Sequence, residues 1–150
     1  MSVKDNNRDW EKYKRTMAHA ATLEVAVGIF ENAKGLKGES VAEYATYNEF
    51  GTEKVPSRPF MAISFDSNKA AIEADILGET KAMAEGRRTP EQALARVGLR
   101  HADRIKNTIT GPNIPPPLAP STVARKKGST KTLVDTGAMV NSVQIAIRAK

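Results

Sequence analysis

Proline and glycine placement constrains this chain before hydropathy does. Two proline-free stretches, residues 60–84 and 91–110, are each bracketed by residues that start and stop a helix. Pro59 suits a first helical turn and Gly86 a termination. Thr89-Pro90-Glu91-Gln92 is a stronger start, with Thr89 as cap, Pro90 in the first turn and Gln92 at the capping-box distance, and Gly111-Pro112 ends the helix it opens. The pattern predicts two long helices, one from Pro59 to about Ala84 and one from Thr89 to about Thr110. Five of the eight prolines fall between Pro112 and Pro120, which makes that segment a stiff extended arm. Pro56 and Pro59 flank Arg58 and hold residues 52–60 as a rigid extended connector.

Periodicity fills in the remaining elements. Residues 5–19 read as a polar helix with one modest stripe, Trp10, Tyr13 and Met17. Leu23, Val25, Val27 and Ile29 alternate as a strand with one face to a core, and Val143, Ile145 and Ile147 alternate as its natural partner at the other end of the chain. Ser40, with Glu43 three residues on, caps a short helix whose inner side is Val41, Tyr44, Ala45 and Tyr47 or Asn48, and which Gly51 terminates in a left-handed conformation. A helical turn is expected over residues 121–127, then a basic loop over 125–131. Asp135 or Thr136 is the expected cap of a last turn over 138–142.

The first long helix carries two apolar stripes, Ile63, Ala70, Ala74 and Leu77, and, well around the cylinder, Phe65, Ile72, Ile76 and Met83. One small core supplies one partner, so the second stripe is expected at another subunit. The second long helix presents Leu94, Val97, His101, Ile105 and Thr108 inward and an arginine column, Arg96, Arg100 and Arg104, on an adjoining face.

With 150 residues, 40% of them hydrophobic, a single domain over residues 1–150 is expected, the arm and basic loop of 111–131 lying within it. No apolar run is long enough to span a bilayer and the charged N-terminus lacks an apolar signal region, so the expectation is a protein folded in a cytoplasm, with no membrane partner. Absence of cysteine removes disulfides, thiol nucleophiles and thiolate metal sites. The net charge of +6 is uneven: residues 1–85 hold 11 Lys/Arg against 14 Asp/Glu, and residues 86–150 hold 12 against 3. A basic half of this kind fits either a nucleic-acid surface or the acidic half of a neighbouring subunit.

Catalytic signals are few. Leu133-Val134-Asp135-Thr136-Gly137 matches the signature around the catalytic aspartate of retroviral-type aspartic proteases, but that fold needs several further strands and a flap, and only thirteen residues come after Gly137. His19 and His101 have no ligand cluster beside them, so neither a metal nor a cofactor is expected, and His101 reads as a core or interface residue. Glu49 reads as a helix-end carboxylate bonding Arg58 or backbone amides. Arg96, Arg100, Arg104, Arg125, Lys126 and Lys127 suit phosphates, but no aromatic interleaves with them to stack bases. They are candidates for lining a lumen through which DNA passes without sequence readout, or for charge contacts between subunits, with Glu73, Asp75, Glu79 or Glu85 of a neighbour as the acidic partners of the Arg96, Arg100 and Arg104 column.

Glu49-Phe50-Gly51-Thr52, then Arg58-Pro59-Phe60, then Pro117-Leu118 with Ser121-Thr122 and Lys126-Lys127, and finally Leu133 with Asp135-Thr136-Gly137 and Ser142, occur in an order that resembles the tail-completion and virion-morphogenesis proteins of long-tailed bacteriophages, the HK97 gp10-like and Mu-like family. The resemblance spans residues 41–147 and carries no catalytic residue with it. It implies an α+β subunit, a small antiparallel sheet flanked by helices, that assembles as a ring, six-fold as the tail is, in the virion neck. Its partners would be head-side connector or adaptor proteins, the tail terminator or tail-tube protein, and DNA passing through the lumen. Beyond the second stripe, the interface residues expected on this reading are Arg58, Pro59, Phe60, Ile114 and Leu118. A non-specific DNA-binding protein and, less well supported, the aspartic protease are the alternatives.

Overall fold

The computed structural model describes residues 7–150. Its elements are α1 (Asn7–Ala21), β1 (Leu23–Ile29), α2 (Val41–Phe50), α3 (Phe60–Ala84), α4 (Pro90–Thr110), α5 (Pro120–Arg125), α6 (Ala138–Asn141) and β2 (Val143–Ala149). The fold is α+β: β1 and β2 pair antiparallel in a two-stranded sheet, and helices dominate the rest. The register sets the Lys150 amide on the Thr22 carbonyl at 2.9 Å and the Arg148 guanidinium on Glu24 at 2.5 Å. Residues 5 and 6, the expected start of the first helix, lie outside the described part. Among the described residues no helix is long and apolar enough to cross a membrane.

The helix boundaries follow from caps. Ser40 Oγ accepts from the Glu43 amide, opening α2. At α4 both halves of the capping box form: the Gln92 amide donates to Thr89 Oγ1 and the Thr89 amide to Gln92 Oε1. The last short helix departs from expectation. Its N-cap is Gly137 in the left-handed conformation, with no side-chain bond; Thr136 Oγ1 accepts instead from the Ala138 amide at 3.4 Å, and Asp135 is exposed. A glycine at φ 79° turns the chain into α6 where a side-chain cap was expected.

The chain forms two compact units, each drawing on α3, α4 and the sheet. One comprises Met1–Ala26, Ala70–Arg100 and Ile145–Lys150; the other comprises Val27–Lys69 and His101–Gln144. The second holds nearly all the large buried side chains, including Val41, Phe60, Ile105, Ile109, Ile114, Leu133, Met139 and Val143. The first is built differently. Small residues, Ala82, Ala93 and Gly98, occupy its closely packed positions, and a Cβ added at Gly98 would stand 2.7 Å from Val25 Cγ2 and 3.2 Å from Ile145 Cγ2. α1 buries no side chain completely; Trp10 stacks on Tyr13 with ring centroids 5.4 Å apart, and His19 bonds Glu91 at 2.6 Å.

In that first unit the arginine column meets α3. Glu79, 7% exposed, accepts from Arg96 Nε at 2.9 Å and lies 3.6 Å from both Arg88 and Arg100; Arg100 also bonds Asp75 at 2.9 Å. Two of the four acidic partners expected across a subunit boundary, Asp75 and Glu79, are thus reached by Arg96 and Arg100 within the chain itself. This changes the reading of α3, whose inward face is Phe60, Ser64, Glu79 and Ala82, with Asn68 and Asp75 half-buried between them. Both apolar stripes lie off that face. Ile72 and Met83 are half-buried, Phe65 and Ile76 are exposed, and on the opposite side Ala70, Ala74 and Leu77 are exposed, Leu77 by 72%.

Gly98→Ala should cost about 1–3 kcal/mol, because the methyl group must displace two β-branched side chains, and urea unfolding reads this directly. A second measurement concerns His101. Burial, and secondarily the Arg104 charge, hold its imidazole below its ordinary pKa. The neutral form is therefore the folded one: stability is full above about pH 6.5, where unfolded histidine is also neutral, and falls as pH drops through the lower folded value. Urea midpoints at neutral and mildly acidic pH should differ less in His101→Phe than in the parent chain.

Candidate functional site

The connector between α2 and α3 is fastened at every turn. Gly51 ends α2 at φ 77°, its amide on the Tyr47 carbonyl, and a Cβ there would lie 2.9 Å from the Ser57 amide nitrogen, so only glycine fits. Thr52 Oγ1 accepts from the Lys54 and Val55 amides, closing a tight turn that the Thr52 amide seals on the Val55 carbonyl at 2.7 Å. Ser57 Oγ then donates to the Glu49 carbonyl and the Arg58 amide to the Asn48 carbonyl. Glu49 reaches forward: its two carboxylate oxygens accept from the Met61 and Ala62 amides at 2.9 and 3.0 Å, the free donors of the first turn of α3. Of the two roles expected for Glu49, backbone amides are the partner found, and a carboxylate at that helix end is also favoured by the dipole.

Arg58 joins this connector to the proline arm. Its Nε and Nη2 donate to the Pro116 carbonyl at 2.9 and 2.7 Å, and Nη2 also to the Pro117 carbonyl at 3.3 Å. The side chain is 4% exposed, and burial lowers its pKa from the usual arginine value. The arm packs on its own chain. Ile114 is buried, and Asn113 ties the arm to the basic loop, its Nδ2 donating to the Thr130 carbonyl and its Oδ1 accepting from the Thr132 amide. Two lysines of that loop are clasps: Lys126 Nζ donates to the Lys131 and Val134 carbonyls, both at 2.7 Å, and Lys131 Nζ donates to the Gly111 carbonyl at the end of α4.

Between α2, the connector, the arm, α5 and the Asp135-Thr136-Gly137 turn lies a cleft of about 580 Å³. Its walls carry Tyr44 and Asn48 from α2, Lys54 and Arg58 from the connector, Leu118 from the arm, Arg125 and Lys126 from the end of α5, and Asp135. The Tyr44 hydroxyl is pushed above its ordinary pKa by burial first, then by the charges of Glu39 and Asp135.

Arg58, Pro117-Leu118, Thr122, Lys126, Leu133 and Asp135-Thr136-Gly137 of the motif segments line this cleft, whereas Glu49-Phe50-Gly51-Thr52 lies off its walls and only fixes the connector beside it. Phe60, fully buried, and Ile114 belong to the core and offer a partner no surface; Arg58 donates to carbonyls of its own chain through Nε and Nη2 while lining the cleft, and Pro59 and Leu118 are half-buried. Arg125 and Lys127 remain exposed at the end of α5. Residues before Asp135 form bends, not the strand that a retroviral-type protease signature requires. Among the described residues no group of three or more His, Asp or Glu is placed to hold a metal ion. Sequence reading missed Tyr44, Lys54 and Asn113 as parts of this region. Asn113 had a signal, being the one amide side chain inside a proline-rich arm. Comparison with protein-family models, with curated proteins and with solved structures returned no match.

Glu49→Ala should lower stability by about 1–2 kcal/mol through loss of both capping bonds, and Glu49→Gln by less, since one oxygen acceptor survives. Urea titration followed by circular dichroism separates the two.

Proposed function

We propose that this chain is a structural subunit of a tailed-bacteriophage virion: a tail-completion protein that closes into a six-fold ring at the head-tail junction and links head-side connector or adaptor proteins to the tail terminator or tail-tube protein. The supporting observation is the convergence of Arg58, whose connector Glu49 and Gly51 hold in place, with the Pro117-Leu118 and Asp135-Thr136-Gly137 segments. They are far apart in sequence, yet they build one interlocked frame around one cleft. The polar bonds identified in that frame hold the chain to itself and make the connector rigid. The frame displays Phe50, 78% exposed, while α3 leaves Leu77 and Ile76 in solvent. Exposed apolar side chains on rigid elements are surfaces that assembly covers, each worth about 1.5–3 kcal/mol when fully buried and multiplied around a closed ring.

The non-specific DNA reading draws less support, because Arg96 and Arg100 are paired with Glu79 and Asp75 and Lys126 is bound to carbonyls. A lumen reading rests on Arg125 and Lys127.

Trans complementation tests the proposal. Particles made without this chain should accumulate as separate filled heads and tails, and purified protein added to the lysate should join them, as electron microscopy and plaque counts would record. Complete, infectious virions formed in its absence would refute the assignment.

A further inference from the structure

We propose that the cleft beside Arg58 is a docking groove for an acidic peptide segment of a partner protein, a carboxylate of which binds the free edge of the Arg58 guanidinium. That the partner is a virion protein rests on the proposed assembly role; the chemistry of the groove stands apart from it. Arg58 is the first reason. Burying a guanidinium is costly, and a buried cation normally has a carboxylate beside it. Here Nε and Nη2 donate to the Pro116 and Pro117 carbonyls, and among the described residues Nη1 has no acceptor, although the residue lines the cleft and is 4% exposed. Two N–H donors of a nearly buried, permanently charged group are thus left for a ligand.

The second reason is the charge of the walls. Lys54, Arg58, Arg125 and Lys126 face the cleft against Glu39 and Asp135, and among the described residues none of the four forms an ion pair with a carboxylate; Lys126 is satisfied by carbonyls. An anion is the complement of such a surface, and charge-assisted bonds from arginine are the strong ones. The third reason selects the kind of anion. Val55, Pro56, Leu118, Leu133 and Met139 share the same walls, and the volume falls in the range of about 300–1,000 Å³ typical of ligand sites. Phosphate alone would leave this apolar lining unused, and a nucleic-acid strand would meet a single aromatic ring, Tyr44, on which to stack. A peptide that carries a carboxylate between apolar side chains uses both parts of the lining.

The test uses the full chain, isotopically labelled for nuclear magnetic resonance, and a synthetic probe, acetyl-Ala-Leu-Asp-Leu-Ala-amide, with its Leu-Asn-Leu twin. The aspartate peptide should shift the Arg58 side-chain signal and amides of α5 and of the Asp135-Thr136-Gly137 turn. The asparagine twin should bind about tenfold more weakly, as expected for loss of one charge-assisted pair. Since Arg58→Gln removes an internal clasp and can unfold the arm, the informative variants are Lys54→Glu and Arg125→Glu, both at exposed positions, which should weaken binding several-fold without changing the urea midpoint. Equal binding of the two peptides, shifts scattered away from the cleft, or tighter occupancy by inorganic phosphate or a short DNA duplex than by the aspartate peptide would overturn the proposal. Failure of peptide binding alongside successful head-tail joining in the complementation assay would reject the groove and leave the assembly role standing.

Discussion

A single buried guanidinium organises the larger unit. Prolines 115–117 have no N–H to offer, so the arm can be held there by its carbonyls alone, and Arg58 supplies donors in a planar fork that reaches two of them. Lysine would present a point charge on a mobile stem and could not hold the same pair with the same geometry. Desolvating a cation works against folding, and the bonds to Pro116 and Pro117 offset part of that cost. The arrangement is asymmetric in its consequences. Removing Arg58 would free the arm, whereas the arm's sequence can change wherever carbonyls stay in place.

The two units are stabilised by different means, and the difference arises from where the large side chains are. Phe60, Ile105, Val41 and their neighbours give one unit a conventional apolar core. The other buries alanines and a glycine, whose small transfer energies contribute little, while permitting α4 to approach the strands closely enough that Gly98 has no room for a methyl group. Close approach also brings Glu79 beneath three arginines. Those arginines are a third to a half exposed, so water screens part of the attraction; the network fixes the pairing of α3 with α4 more than it adds net stability.

Local signals were legible, and so was the inner side of α2, where Val41 and Ala45 are buried and Tyr44 and Asn48 half-buried; the faces of α3 were not. The side-chain cap at Ser40, the capping box at Thr89, the stop at Gly51 and both strands are read from adjacent residues, because a cap or an alternation is decided within a few positions. The inward face of α3 defeated the same reasoning. Hydropathy points to Ile63 and Leu77 or to Phe65 and Ile76, while the structure turns Ser64, Asn68, Asp75 and Glu79 inward, since Arg88, Arg96 and Arg100 wait there for Glu79 and Asp75. A polar inner face is visible only once the partner helix is in place. The Asp135 turn failed for a related reason: a cap was assigned to the residue types that usually provide one, but the left-handed Gly137 sets the turn by itself. The cleft, assembled from segments that no local pattern connects, had no sequence signal beyond the order of its motifs.

That order gives Phe50 its significance. Glu49 caps α3, Gly51 admits the Ser57 backbone, Thr52 closes the turn and Phe60 fills the core, so their residue types are each explained by contacts within the chain. Phe50 stands between two of these fixed positions with its ring in solvent. A large apolar side chain in water gains nothing for the isolated subunit, and a backbone already fixed on both sides has little entropy left to lose when the ring is covered. Affinity is gained readily at such a position, because the ordering cost has been met during folding, and the same frame that immobilises Phe50 also shapes the walls of the neighbouring cleft. A partner docking at either place, as proposed, would therefore meet a preformed surface, the connector locking the fold through Glu49, Gly51, Thr52 and Phe60 while the Phe50 ring stands largely in solvent.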